Sequence, residues 1–107
     1  MYYTYSMKTI TPQELLELTK TEEPVILDVR DPDEHETMCI PNSNLIPLSE
    51  LESRLSELDP NKKTIVYCAS GGRSCAACDI LEEHGFTDVY NLQNGVLGWM
   101  MSGLPTE

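Results

Sequence analysis

Apolar positions along this chain follow two alternating rhythms. Short, nearly unbroken apolar runs recur at Val25-Ile26-Leu27-Asp28-Val29, Thr64-Ile65-Val66-Tyr67-Cys68 and Asp88-Val89-Tyr90-Asn91-Leu92. Runs of that length without polar alternation predict strands buried on both faces. A briefer one is expected at Leu45-Ile46, in the irregular stretch from Pro41 to Pro47. Between the runs the spacing turns helical. Thr11-Pro12-Gln13-Glu14 is a helix start, with Thr11 as N-cap, Pro12 at the first helical position and Glu14 closing a capping box. Leu15, Leu16 and Leu18 then supply its apolar face. Asp31-Pro32-Asp33-Glu34 repeats the same start. Leu48, Leu51, Leu55 and Leu58 predict an amphipathic helix ended by Asp59-Pro60. Further helices are expected from Ser74 to His84, closed by Gly85, and from Asn94 to Ser102, stopped by Gly103. Strands alternating with helices predict an α/β fold around a mainly parallel sheet.

Length fixes the scale of that fold. At 107 residues with 40% apolar content, the chain makes one domain with a core of its own, needing neither metal nor disulfide to fold. It is too short for a two-halved dinucleotide domain, and no G-x-G-x-x-G follows a strand. No apolar run approaches the 18 or more residues of a membrane span. Residues 1–8, polar and tyrosine-rich, are expected to form a flexible extension, with 9–107 as the domain. The start lacks the basic and apolar regions of a secretory signal, so a cytoplasmic setting with reduced cysteines is expected.

Charge narrows the partners. Eighteen acidic residues face seven Lys and Arg, a net charge of −11. Nucleic-acid binding needs clustered cations and is excluded on that ground. Anionic membrane surfaces are disfavoured likewise, whereas a basic partner protein would be attracted.

One segment carries chemistry: Tyr67-Cys68-Ala69-Ser70-Gly71-Gly72-Arg73-Ser74. Here a cysteine ends a buried strand, a glycine-containing loop follows, and a helix begins. Ligands of parallel α/β sheets bind at the carboxyl ends of the strands. The amides of a tight loop can converge into an anion nest, and the helix start adds its positive dipole end. Gly71 and Gly72 permit the backbone such a nest needs, and Arg73 adds a permanent cation. Those surroundings lower a cysteine pKa and populate the nucleophilic thiolate.

The chain resembles the rhodanese (sulfurtransferase) domain family from about Ile10 to Pro105. The resemblance rests on Leu27-Asp28-Val29-Arg30 with Glu34, on Ile40-Pro41, on Ile46-Pro47-Leu48-Ser49-Glu50-Leu51, and on the Cys68–Arg73 loop with Ser74. It continues through Gly85-Phe86, Val89-Tyr90-Asn91-Leu92, Gly95, Gly98-Trp99 and Gly103-Leu104-Pro105. It implies a three-layer sandwich of about five mainly parallel strands with helices on both faces. It also implies a sulfurtransferase in which Cys68 takes a sulfane sulfur from a donor, thiosulfate or a persulfide, and passes it to a thiophilic acceptor. Ala69, Ser70, Gly71, Gly72 and Arg73 would hold the transferred sulfur through their amides, with Arg73 assisting electrostatically or bracing the loop. No organic cofactor and no metal are implied. The partners would be a small sulfur donor and acceptor, a basic partner protein or a persulfide carrier. The other reading is a non-catalytic rhodanese module that senses oxidants or binds a partner. Related cell-cycle phosphatases resemble this fold with five residues between Cys and Arg. This chain has four, a smaller ring that suits sulfur better than a phosphoryl group.

Departures from the family pattern are informative. The loop holds no second cation, which with the net charge favours a persulfide donor over thiosulfate. Cys39 stands at a usual histidine position, either as a resolving thiol or, as favoured here, a half-buried small side chain. Cys75 and Cys78 form a C-x-x-C on a helix and read as small core filler; with Cys68 they would still lack the fourth ligand a zinc site wants. Asp28, Arg30 and Glu34 read as a structural set in which Arg30 pairs with Glu34. His35 and His84 read as surface or helix-end residues, and Met100-Met101 as core or partial surface.

Overall fold

The computed structural model describes residues 8–107. Its centre is a five-stranded sheet in the order β1-β5-β4-β2-β3. The strands are β1 (Thr9–Ile10), β2 (Val25–Asp28), β3 (Ser43–Leu45), β4 (Thr64–Tyr67) and β5 (Val89–Leu92). Every pairing is parallel, from Thr9 opposite Asn91 to Asp28 opposite both Tyr67 and Leu45. The sheet is therefore wholly parallel where sequence predicted mainly so. A parallel sheet needs crossovers, and the helices provide them: α1 (Pro12–Thr19), α2 (Pro32–Thr37), α3 (Gly72–Glu83) and α4 (Gly95–Met101).

Strand alternation divides the core into two layers. Leu27, Val29, Val66, Cys68 and Val89 point to one side and pack against Leu51, Ala77, Cys78, Leu81 and Phe86. Ile26, Ile65, Tyr67 and Leu92 point to the other and pack against Leu15, Val96 and Trp99. So α3 covers one face, and α1 with α4 covers the other. Helix α2 buries no residue and rides at the end of the sheet.

Local signals set the helix starts. Thr11 Oγ1 accepts from the Glu14 amide at 3.1 Å, and Glu14 Oε1 accepts from the Thr11 amide at 2.9 Å. In α2 the Asp31 amide donates to Glu34 Oε1 at 3.0 Å. Gly85 and Gly103, at φ +89° and +75°, follow α3 and α4 as read from the sequence.

One expected helix is corrected. Residues 48–58 are not one amphipathic helix but two 3₁₀ segments, Leu48–Glu50 and Glu52–Glu57, with Arg54 out of helical geometry at φ −120°. The three-residue steps from Leu48 to Leu51 and from Leu55 to Leu58 suit 3₁₀ as well as α packing. Ser53 Oγ bonds the Glu50 carbonyl at 2.8 Å, and Arg54 is clamped between Glu50 and Glu57. The edge strand β1 was not read from residue patterning, because two residues show no alternation; only its pairing with β5 defines it. Lys8 borders that edge, its carbonyl accepting the Asn91 amide at 2.9 Å. The rest of the expected extension lies outside the described residues.

Candidate active site

Cys68 follows the carboxyl end of β4, beside the Val29 segment that leaves β2. The segment leaving β2 and the start of α4 fix its backbone: the Val29 amide donates to the Tyr67 carbonyl at 3.1 Å, and the Val96 amide donates to the Cys68 carbonyl at 2.9 Å. The Leu97 amide takes the Ala69 carbonyl at 3.1 Å. The start of α4 thus holds the first two loop carbonyls, which frees the later amides to turn toward the sulfur.

The sulfur is held from several sides. The Gly71 amide donates to Sγ at 3.1 Å, and Ser74 Oγ lies 3.4 Å from it. Burial alone would raise the Cys68 pKa, but the Ser74 hydroxyl and amide and the amides of Gly71 and Ser70 outweigh it, so the thiol is lowered. Gly71, at φ +121°, makes the turn that aims its amide inward. Gly72 has no such role: it begins α3 in ordinary helical geometry. Ala69 contributes a carbonyl to α4. Ser70 is exposed at the loop's outer side.

Ser74 is fully buried and central. Its Oγ is 2.5 Å from Asn91 Oδ1 and 3.2 Å from the Gly71 carbonyl. One hydroxyl proton serves one acceptor at a time. When Cys68 ionises, the sulfur becomes the charged acceptor within reach. Ser74 thus provides a donor whose direction follows the state of the cysteine.

Arg73 does not point its guanidinium at the sulfur. It grips Glu34 on α2 through two bonds, Nη1 to Oε1 at 2.8 Å and Nη2 to Oε2 at 3.0 Å. The pairing raises the Arg73 pKa and draws Glu34 down to about 2. The expected Arg30–Glu34 pair is therefore overturned. Asp28 ends β2 with a fully buried carboxylate, and Arg30, two residues on, is the cation nearest to satisfy it. Arg30 Nε and Nη2 reach Asp28 at 2.9 and 2.8 Å, and Nη2 also bonds the Met38 carbonyl at 2.7 Å. His35 is not a plain surface residue either: its Nδ1 lies 2.9 Å from Asp28 Oδ2. Burial opposes ionisation of Asp28, but Arg30 and His35 prevail, and its pKa is lowered. His84 Nδ1 stays at a helix end, 2.8 Å from the Ile80 carbonyl.

All four cysteines are free. Cys78 is buried beside Cys68 in one apolar cluster, and burial pushes its thiol up to about 12. Cys75 is half-buried. Cys39, also half-buried, is tied to Glu107 by two main-chain bonds of 2.8 Å. Among the described residues, no three His, Cys, Asp or Glu side chains are grouped to hold a metal ion. Among the described residues, no helix is long and apolar enough to cross a membrane. Ser74, Asn91 and Gly95 entered the sequence pattern only as family positions; no role at the site was read for them. The Asn94-Gly95 pair, a turn signal, was the available clue to the last of these.

A parallel α/β sheet with a cysteine cradled by loop amides at a strand end has the geometry that favours a thiolate. The model of the rhodanese-like domain matches residues 11–102, and the chain belongs to that family. It is 35% identical over 88 residues to a sulfurtransferase of Allochromatium vinosum, covering 82% of both chains. It is 32% identical to the thiosulfate sulfurtransferase GlpE of Pseudoalteromonas translucida, over 88% of this chain and 90% of that one. Among solved structures, a rhodanese-related protein from Thermoplasma volcanium matches with a TM-score of 0.86 and 35% identity, over 94% of this chain and 97% of that one.

Proposed function

We propose that this protein is a sulfurtransferase that carries a sulfane sulfur on Cys68. The carrying observation is the convergence of the Gly71 amide and the Ser74 hydroxyl on the Cys68 sulfur. The thiolate attacks the outer sulfur of a donor R–S–SH. The donor S–S bond breaks, RS⁻ leaves, and Cys68–S–SH forms and loses its proton. The same amides then face the Cys68–S–S⁻ anion, as oxyanion-hole donors face oxygen. The new sulfur stands one S–S bond, ~2.05 Å, farther out. That extension matters because Cys68 itself keeps only 1% of its surface in solvent.

A persulfide suits this cradle better than thiosulfate. Attack by a thiolate on the thiosulfate dianion gathers three negative charges. The loop's one guanidinium is already neutralised by Glu34, and the whole chain carries −11. Attack on an uncharged R–S–SH avoids that repulsion.

The test is intact mass after incubation with a small hydropersulfide, and separately with thiosulfate, using Cys68→Ala as control. One added sulfur, removed by cyanide and absent in the variant, is expected, with the hydropersulfide loading faster. No added sulfur from either donor would overturn the reading.

A further inference from the structure

The exposed large apolar side chains among the described residues all lie on one short helix. They are Leu97, Met100 and Met101, exposed by 48%, 43% and 89%. Spaced i, i+3 and i+4, they share one face of α4, while Val96 and Trp99 are buried. The same helix braces the catalytic loop, and Leu97 itself donates its amide to the Ala69 carbonyl. The patch therefore begins at the residue next to the cradle. Its flexible thioethers adapt to varied apolar surfaces.

Charge restricts what covers it. Six of the seven Lys and Arg residues already face a carboxylate. The net field is acidic, which opposes a second copy of the chain and attracts a basic surface. Three side chains also fall well short of the roughly 800 Å² per partner of a standard stable interface, which fits a visiting partner.

We propose that the Leu97–Met100–Met101 face of α4 docks a protein that exchanges sulfur with Cys68, one whose thiol lies beside an apolar contact ringed by basic residues. The inference rests on the sulfur-transfer reading of Cys68. In the exchange, the acceptor sulfur bonds the outer sulfur of Cys68–S–S⁻. The S–S bond to Cys68 breaks with its electron pair left on Sγ, and the acceptor's thiol proton passes to the new persulfide. Nothing is oxidised or reduced overall.

The test loads the full-length protein with sulfur and measures transfer to cyanide and to three short single-cysteine peptides. One has its cysteine flanked by Leu and Lys, one has Glu for Lys, and one has Ser for Leu. The Leu/Lys peptide is expected to react about tenfold faster than the other two, an advantage that shrinks with added salt. The double variant Met100→Ser/Met101→Ser is expected to lose the preference for Leu over Ser while its rate with cyanide stays within about twofold of wild type. Equal rates for the three peptides, or full discrimination by the double variant, would overturn the proposal. So would a wild-type dimer that the variant splits, because a second copy would then own the patch. Failure to transfer sulfur even to cyanide would instead remove the sulfur-transfer reading, and the docking role with it.

Discussion

Gly95 and Cys68 are in such close contact that no side chain fits between them. A Cβ on Gly95 would stand 2.4 Å from the Cys68 carbonyl oxygen and 2.5 Å from that of Ala69. Gly95 also sits at φ +58°. The bare backbone lets α4 approach and take both carbonyls. Gly95→Ala is expected to cost about 2–4 kcal/mol, from backbone strain and overpacking together. Sulfur transfer should fall more steeply than stability, because the loop amides lose their aim. Chemical denaturation alongside the loading assay checks this. A variant with full stability and full activity would refute the contact's role.

Ser74 supports the thiolate. Ser74→Ala removes the hydroxyl 3.4 Å from Cys68 and leaves Asn91 Oδ1 without its 2.5 Å partner. The Cys68 pKa should rise toward that of an ordinary thiol. Since the thiolate is the reactive form, alkylation of Cys68 near neutral pH should slow by about tenfold, the worth of a hydrogen bond to a charged group. The rate of iodoacetamide labelling against pH reads this directly: the inflection moves upward in the variant. An unmoved inflection would assign the lowered pKa to the backbone amides alone.

The Glu34–Arg73 pair ties α2 to the Cys68 loop across 39 residues of sequence. Glu34 is depressed in the fold to about 2 from an ordinary 4.5. A depressed carboxylate stabilises the fold above its unfolded pKa and loses that contribution as pH falls through the folded one. The window is therefore about pH 4.5 down to about 2. The pair is about one-third exposed, so solvent screening limits it to about 1 kcal/mol. Urea titrations of wild type and Glu34→Gln should differ by that amount at pH 6 and converge near pH 2. A constant gap across the range would contradict the linkage.

Cys78 is expected to be chemically silent. Its thiol, pushed up to about 12 by burial, stays protonated. Native alkylation at pH 8 should leave Cys78 unlabelled, and peptide mass mapping checks this. Cys78→Ala should retain sulfur loading at a cost of about 1 kcal/mol for the lost sulfur's packing. Loss of loading in a stable Cys78→Ala variant would make Cys78 a participant.

Whatever local rules set was legible in the residues alone. Apolar runs placed β2, β4 and β5 to within a residue, because a strand buried on both faces has no polar alternative. Capping residues Thr11 and Asp31 placed two helix starts, because those bonds close within three residues. The cysteine at a strand end before Gly71 pointed to Cys68 and its loop as the candidate site on the same logic. Only the tertiary structure decided relations between distant segments. The pairing of β1 with β5, the grip of Glu34 on Arg73, the reach of Ser74 to Asn91 and the docking of Gly95 on Cys68 all join residues from different elements. Arg30 shows why proximity misled: Glu34 is near in sequence, but the fully buried Asp28 carboxylate needs the cation more than a half-buried glutamate does. The 48–58 segment teaches the same lesson about shape. Its leucines are placed for burial, but the fold chose 3₁₀ turns over an α-helix, because what the core rewards is the apolar contact and not the helix type that delivers it.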